Sequence, residues 1–259
     1  MSVALLRFMD VTSALMIRDI KSRFVGHGIG YSWAFITPIA WIAVIAFFFS
    51  LVGRNPPIHT DIVSFLLTGL LPYVIFRQTI TAMMRAARAN RYMVLFGSVK
   101  FTDVYFATAI LEYFNGIIVY LFIFFGNWLF FSHAEMHDPF LALTGLSLAW
   151  LLGVSFGRLV AVLSRISKIV ARSVPIILRP MFWLSGIFYT ANELPEFIVN
   201  FLSFNPLLHT IELMRSGAFS GYESRMSNIL VPVVYILVFY ILSDALSKYA
   251  IAKRSAGEI

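Results

Sequence analysis

Between Arg23 and Arg54 the sequence contains no charged residue, and this long apolar run constrains the fold more than any other feature. A helix needs about 20 apolar residues to cross the hydrocarbon core of a bilayer, and residues 34–52 meet that requirement. Further apolar segments of similar length follow, separated by short loops, several of them basic. This alternation predicts a helical integral membrane protein rather than a soluble domain.

The amino-acid composition also indicates a membrane protein. Hydrophobic residues make up 59% of the chain and charged residues 13%, whereas soluble domains have about 45–50% and about 25%. The net charge of +7 does not indicate nucleic-acid binding, because the basic residues are distributed between the apolar segments. The chain has no cysteine, which excludes disulfides, thiolate catalysis and cysteine metal sites.

One all-α transmembrane domain is predicted over residues 1–259, with six spans. The spans are placed at residues 34–52, 62–84, 104–131, 140–163, 173–189 and 228–246. Residues 1–30 are predicted to form an amphipathic helix in the membrane interface, with its basic side chains toward the lipid head groups. One set of loops, together with both chain ends, holds 15 of the 20 Lys and Arg residues. By the positive-inside rule, both termini are expected in the cytoplasm.

The stretch Met181–Tyr222 stays apolar although turn sequences interrupt it twice. The breaks leave pieces too short to span a bilayer, so re-entrant or interfacial helices are expected over residues 190–222. Three ionisable side chains follow the second break at intervals of three residues, and such groups are costly and often functional at membrane depth. Asn205 is expected to cap the second helix, with Pro206 at its first position. The residues predicted to form a polar gate are Asn205, Pro206, His209, Glu212 and Arg215.

The order of these elements resembles the permease subunits of type-2 ABC exporters. More narrowly, it resembles the capsule-polysaccharide export permeases of Gram-negative bacteria, the KpsM-like group, over essentially the whole chain. The most specific motifs read Asn205-Pro206-Leu207 … His209 … Glu212 … Arg215 and Asn90-Arg91 … Leu95-Phe96 … Val99-Lys100 … Asp103. Many relatives have a proline just before the Val-Lys pair, where this chain has Ser98.

The resemblance implies that the loop at residues 90–103 holds a coupling helix, which docks into a cleft of a separate ATPase. The residues agree, because a short apolar and aromatic core flanked by basic side chains suits a contact with another protein. A solvated loop that merely obeys the positive-inside rule would explain the charges but not that core. The residues assigned to the contact are Arg88, Asn90, Arg91, Tyr92, Leu95, Phe96, Val99, Lys100 and Asp103.

The sequence has no G-x-x-x-x-G-K-[ST] loop to hold phosphates, so the chain is not expected to be an enzyme or to bind a cofactor. ATP and Mg²⁺ are expected on the partner subunit. The resemblance implies a homodimer of this chain with two ATPase subunits, and a pathway between the two permeases. It also implies a periplasmic adaptor and an outer-membrane polysaccharide export protein. The expected function is export of a lipid-linked capsular polysaccharide across the bacterial inner membrane.

Five side chains are candidates for contact with the transported polymer. Arg77 and Arg179 are the basic groups nearest the hydrocarbon, and they could bind an acidic glycan or the phosphate of its lipid anchor. The alternative for both is snorkelling to the nearer interface. Tyr73, Trp41 and Trp183 could stack on the faces of sugars, and the alternative for them is the aromatic belt common in membrane proteins.

Other functions are compatible with parts of the sequence. A type-2 exporter of O-antigen, teichoic acid or a drug would have nearly the same pattern. A secondary transporter should show paired broken helices in two repeated halves, and only one broken region, residues 190–222, is evident. An intramembrane enzyme should show acids or histidines clustered at one depth, and the sequence lacks such a cluster. No metal site is predicted, because His133 and His137 are better explained by an exposed loop.

Overall fold

The computed structural model describes residues 3–24, 33–95, 97, 99–131 and 136–255, and all regular secondary structure in these ranges is helical. The predicted all-α class is therefore confirmed for this part of the chain. A short 3-10 turn, Ala191–Glu193, precedes the last three helices. In chain order the α-helices are α1 (Val3–Phe24), α2 (Trp33–Val52), α3 (Ile62–Ala89), α4 (Arg91–Leu95), α5 (Phe101–Phe131), α6 (Pro139–Ile166), α7 (Lys168–Leu184), α8 (Glu196–Leu202), α9 (Pro206–Ala218) and α10 (Leu230–Ser255).

Four of the described helices, α3, α5, α6 and α10, are long and apolar enough to cross a membrane. The pair α8 and α9 would add a fifth span if counted as one, although its two halves are bent by 110°. The remaining candidates are shorter or less apolar: α2 is uncharged and contains Pro38, whereas α7 has 17 residues and contains Pro175 and Pro180. By length and composition the chain is a multi-pass membrane protein, and its described residues provide four to five candidate spans where the sequence predicts six.

Helix α6 lies at the centre of the bundle and packs against α3, α7, α9 and α10. Small residues recur every four positions along one side of it, at Gly145, Ala149, Gly153, Gly157 and Ala161. An added Cβ at Gly145 would lie 2.6 Å from the backbone oxygen of Thr210 in α9. At Gly157 it would lie 2.9 Å from Cα of Ile80 in α3. Small residues thus let three helix backbones approach closely, as is common in membrane proteins.

Substitution of Gly145 by Ala should therefore destabilise the protein by about 1–3 kcal/mol, because the new methyl group meets backbone atoms that no rotamer change can move. Gly126→Ala in α5 is the matched control, since an added Cβ there has nothing within 4 Å. Thermal unfolding of the two purified variants in the same detergent measures the difference. Equal stability of the two variants would contradict the close packing of α6 on α9.

The bundle has two ends. The loops at residues 53–61 and 136–138 and the segment 185–229, which contains α8 and α9, lie toward one end, which we call the α8 end. Arg54 there donates to the carbonyl of Phe188 at 3.1 Å, and the amide of Asp138 donates to the carbonyl of Gly217 at 2.7 Å. The opposite end, which we call the α4 end, contains α4 and the junction between α6 and α7.

Helix α9 runs antiparallel to the first half of α6. Gly217 meets Ala142 near the start of α6, and Met214 meets Gly145 one turn further along. At the other end of α9, Leu207 lines the same apolar pocket as Leu152. The chain therefore enters the bundle before α9 and returns along α9 to the α8 end.

Helix α7 ends at Leu184, whereas the predicted fifth span runs to Tyr189. Gly186 turns the chain with a φ of 80°, a conformation that glycine adopts without steric cost. The turn is also tight, because an added Cβ at Gly186 would lie 2.4 Å from a methyl carbon of Leu208. The residues after this turn are free to meet α9 instead of continuing the helix.

Candidate functional site

A groove of about 850 Å³ lies between α2, α3 and α7, and all five predicted polymer-contacting residues line it. They come from three helices: Trp41 from α2, Tyr73 and Arg77 from α3, and Arg179 and Trp183 from α7. The side chains of both tryptophans and of Arg179 are exposed, whereas that of Tyr73 is buried. The two tryptophans therefore lie at the exposed rim of the groove, and Tyr73 lies deeper in its wall.

Aromatic rings run along the groove in contact with one another. Phe182 is the central ring, with centroids 5.1 Å from Tyr73, 5.3 Å from Phe188 and 5.8 Å from Trp41. Trp183 stands 5.0 Å from Phe188. The sequence alone does not single out Phe182 and Phe188 among its 26 phenylalanines. The contacts of Phe182 with α2 and α3 are what reveal its position.

Two arginines, Arg77 and Arg179, line the groove together with Tyr73. Arg77 follows Tyr73 by one helical turn on α3, and the Tyr73 hydroxyl donates to the carbonyl of Leu178 at 2.9 Å, directly before Arg179. The buried Nε of Arg77 has no hydrogen-bond partner among the described residues. A buried donor without a partner is costly, so this nitrogen favours an acceptor supplied from outside the chain.

A third cation lies where the groove meets the α8 end. The Arg54 guanidinium stands 5.1 Å from the ring centroid of Phe49 and donates to the carbonyl of Phe188. It is held in place by a cation–π contact and a hydrogen bond. The groove thus offers cations at two levels with aromatic faces between them, a combination that can bind an anionic amphiphile or an acidic glycan.

The predicted gate residues lie in a different place, inside the bundle at the α8 end. Glu212 and Arg215 are fully buried and form an ion pair at 3.1 Å. The Arg215 guanidinium also donates to the carbonyls of Ile187 at 3.0 Å and Tyr189 at 2.7 Å. It stands 4.3 Å from the ring centroid of Phe65 on α3. One cation therefore holds the chain after α7 against both α9 and α3.

Glu212 connects the same network to the segment after α9. Its carboxylate accepts hydrogen bonds from the Ala191 amide at 3.3 Å and from the hydroxyls of Tyr222 and Ser224. Burial and the neighbouring carboxylate raise the pKa of Tyr222, so its phenol stays protonated and donates. Tyr222 and Ser224 lie ten or more residues from Glu212, so the i,i+3 spacing in α9 gave no signal for them.

Asn205 and His209 attach the start of α9 to its surroundings. Asn205 caps the helix as the sequence predicts, accepting from the Leu207 amide at 3.1 Å, and Pro206 occupies the first position. The Asn205 amide also donates to the last residue of α7 at 2.9 Å. Nδ1 of His209 accepts from the Asn228 amide at 3.3 Å, so Nε2 carries the proton and donates to the Ser203 carbonyl. The gate role of these residues stays a prediction.

The predicted coupling residues lie at the α4 end, in and around the short helix α4. Tyr92 and Leu95 are exposed, with 72% and 40% of their surface accessible. Asn90 and Val99, in contrast, are buried beneath them. Phe96 lies outside the described residues. The described part of the loop therefore has an apolar outer face and an anchored inner face.

The basic and acidic members of this set have separate positions. Arg88 donates from Nε to the carbonyl of Met84 one turn earlier, at 3.3 Å, and Arg91 is exposed at the start of α4. Asp103 accepts from the amide of Lys100 at 3.0 Å, which fixes the start of α5. The exposed charges thus border the apolar outer face of α4.

Comparison with known proteins gives consistent matches over most of the chain. A family model described as ABC-2 type transporter matches residues 11–219. The polysialic acid transport protein KpsM of Escherichia coli is 27% identical over 233 residues, covering 90% of each chain. The capsule polysaccharide export inner-membrane protein CtrC of Neisseria meningitidis serogroup A is 25% identical over 95% of this chain and 92% of its own. The corresponding protein BexB of Haemophilus influenzae is 21% identical over 83% and 82%.

Proposed function

Because this chain belongs to the ABC-2 type transporter family, we propose that it is the membrane permease subunit of an ATP-driven exporter of lipid-linked capsular polysaccharide. Similarity over nearly the full length of relatives named for polysialic acid transport and capsule polysaccharide export supports this substrate class. Family membership implies an ATPase partner, which would bind ATP and Mg²⁺. The chain itself is a transport component of the bacterial inner membrane.

In this proposal six helices span the membrane, namely α2, α3, α5, α6, α7 and α10, and both termini are cytoplasmic. The uncharged sequence of α2 supports its assignment as a span. Helices α8 and α9 form a re-entrant element rather than a span, because of their 110° bend and the return of α9 along α6 to the α8 end. The α8 end is then periplasmic, the α4 end is cytoplasmic, and α1 lies in the cytoplasmic interface.

The groove between α2, α3 and α7 is the observation that carries the proposal. Arg77 and Arg179 would hold an acidic sugar or the phosphate of the lipid anchor. The rings of Tyr73, Trp41 and Trp183 would contact the faces of neighbouring sugars. Many weak aromatic contacts suit a polymer that must move past the site. Two copies of the chain, each contributing its groove, would enclose the pathway.

At the α4 end, the exposed residues of α4 would dock into an ATPase subunit, and each permease would bind one ATPase subunit. At the α8 end, a periplasmic adaptor and an outer-membrane polysaccharide export protein would receive the polymer. Movement of α4 on ATP binding and hydrolysis would change the separation of the two grooves. The permease thus supplies the path and its partner supplies the energy.

The double substitution Arg77→Gln/Arg179→Gln is expected to reduce polysaccharide export roughly tenfold or more, because it removes two charge-assisted contacts from the groove. Export is measured as surface polysaccharide at equal levels of permease in the membrane. Arg172→Gln is the matched control, because Arg172 is exposed on the same helix as Arg179 but does not line the groove. Export by the double variant at the control rate would contradict the proposed pathway.

A further inference from the structure

We infer that Arg18 on α1 is a positioning residue that clamps α4 to the interface helix, so that α1 and α4 move as one unit. The inference rests on the proposed docking of an ATPase at α4. It adds to that proposal a second element, α1, and a specific side chain that connects the two.

The clamp is a pair of hydrogen bonds between segments far apart in the sequence. Arg18 donates from Nη2 to Oδ1 of Asn90, 72 residues later, and from Nη1 to the sulfur of Met93 at 2.8 Å. The planar guanidinium of arginine can donate to both acceptors at once, which the single ammonium of lysine does less well. Arg18 therefore bridges the start and the middle of α4.

Asn90 is held in the orientation that the clamp needs. Its side-chain amide donates to the carbonyl of Ala86 at 2.8 Å, which leaves Oδ1 to accept from Arg18. Its backbone carbonyl accepts from the Val94 amide at 3.1 Å, inside α4. Asn90 thus joins the end of α3, the body of α4 and α1 through one residue.

Apolar packing holds α1 beneath the loop on both sides of α4. Leu15, one turn before Arg18, is buried in a cluster with Val99 and with Val104 at the start of α5. Val94 packs against the same cluster from α4. Helix α1 therefore contacts the loop before, within and after α4, while Tyr92 stays exposed on the outer side. The clamp leaves the exposed side chains of Tyr92 and Leu95 accessible to a partner.

A displacement of α4 by a bound partner would then be passed directly to α1. The same cluster includes the first turns of α5, so α5 would receive the displacement as well. Without Arg18, α4 would keep its exposed face but lose its fixed orientation on the helix below. The expected defect is therefore in transmission rather than in partner binding.

The test compares Arg18→Ala, Arg18→Lys and the control Arg7→Ala, which removes an equivalent exposed charge from α1. Two quantities are measured for each: the amount of ATPase subunit that co-purifies, and polysaccharide exported per ATP hydrolysed. Arg18→Ala should retain the ATPase but lose roughly tenfold in export per ATP, with partial recovery in Arg18→Lys. Export per ATP equal to that of Arg7→Ala would overturn the inference.

Chemical cross-linking provides a second readout, because the chain has no cysteine of its own. The two cysteines of Arg18→Cys/Met93→Cys would be joined by a short bifunctional thiol reagent. A reagent is needed because an arginine side chain spans a longer distance between backbones than a disulfide can. The reagent should restore export per ATP in the double variant and change nothing in Arg18→Cys alone. If export per ATP did not recover after cross-linking, or fell to zero, a fixed link between α1 and α4 would not support transport, and the inference would be wrong.

The two proposals fail in different ways. If no ATPase co-purifies with the unmodified chain, the coupling role of α4 is wrong, whatever the Arg18 variants do. If the ATPase co-purifies and Arg18→Ala exports normally per ATP, only the clamp is wrong.

Discussion

Arg215→Ala is expected to destabilise the protein by about 3–5 kcal/mol, because removal of one partner leaves the other charge of a buried pair uncompensated. Glu212 would lose its ion pair, and the carbonyls of Ile187 and Tyr189 would lose their donor. All of these groups lie in the interior of the α8 end. Thermal unfolding in detergent and the yield of membrane-inserted protein measure the effect.

Two further variants test the origin of that loss. Glu212→Gln/Arg215→Met removes both charges while keeping similar volumes, and it should be more stable than Arg215→Ala. Lys248→Ala breaks an exposed pair with Asp244 and should leave the stability unchanged. If Arg215→Ala were as stable as the Lys248 variant, the buried network would not hold the α8 end together. If it were stable but did not export, the gate role predicted for Arg215 would gain support instead.

Leu95→Asp is expected to weaken ATPase binding by at least about 100-fold, because a carboxylate replaces an apolar side chain at the centre of the proposed contact. Leu95 is exposed at the end of α4, so the substitution should leave the permease folded. The measurement is co-purification of an ATP-hydrolysing subunit with the detergent-solubilised permease. Loss of the subunit together with normal thermal stability is the expected result.

The conservative variant Leu95→Met keeps an apolar side chain and serves as the control for that experiment. It should retain the ATPase, since methionine can fill a similar contact. The docking proposal would be contradicted if the Asp variant bound the ATPase as well as the Met variant did. It would also be contradicted if no ATPase bound to the unmodified chain.

Local features of the helices could be predicted from the sequence, because they depend on neighbouring residues. Asn205 and Pro206 start α9 as expected, since a cap and a first-position proline act within one turn. The start of α2 and the all-α class follow from the uncharged apolar run. The end of α7 at Leu184 did not follow, because the turn at Gly186 packs closely against Leu208 of α9, a contact between distant segments.

The positions of the site residues required the packing of distant segments. Residues on α2, α3 and α7 could each be chosen as candidates from their chemistry, but only the packed helices bring them into one groove. The spacing of Glu212 and Arg215 is compatible with an open mouth or a buried pair. In the structure the Arg215 side chain is buried and donates to the carbonyls of residues 187 and 189. Periodicity within α9 cannot reveal these partners, because they come from another segment. The partner of Arg18, 72 residues away, is hidden for the same reason.

The glycine side of α6 has a mechanical consequence for transport. Where Gly145 and Gly157 meet their neighbours, backbone lies against backbone. Sliding of α3, α6 and α9 past one another could not be accommodated there by changes of side-chain rotamer. These three helices should therefore behave as a stiff frame. Helices α2 and α7 contact each other through Trp41 and Phe182, and Phe182 contacts Tyr73 of α3; these aromatic side chains can reorient. Any widening of the groove during a transport cycle should thus occur by displacement of α2 and α7, while α3, α6 and α9 keep their positions.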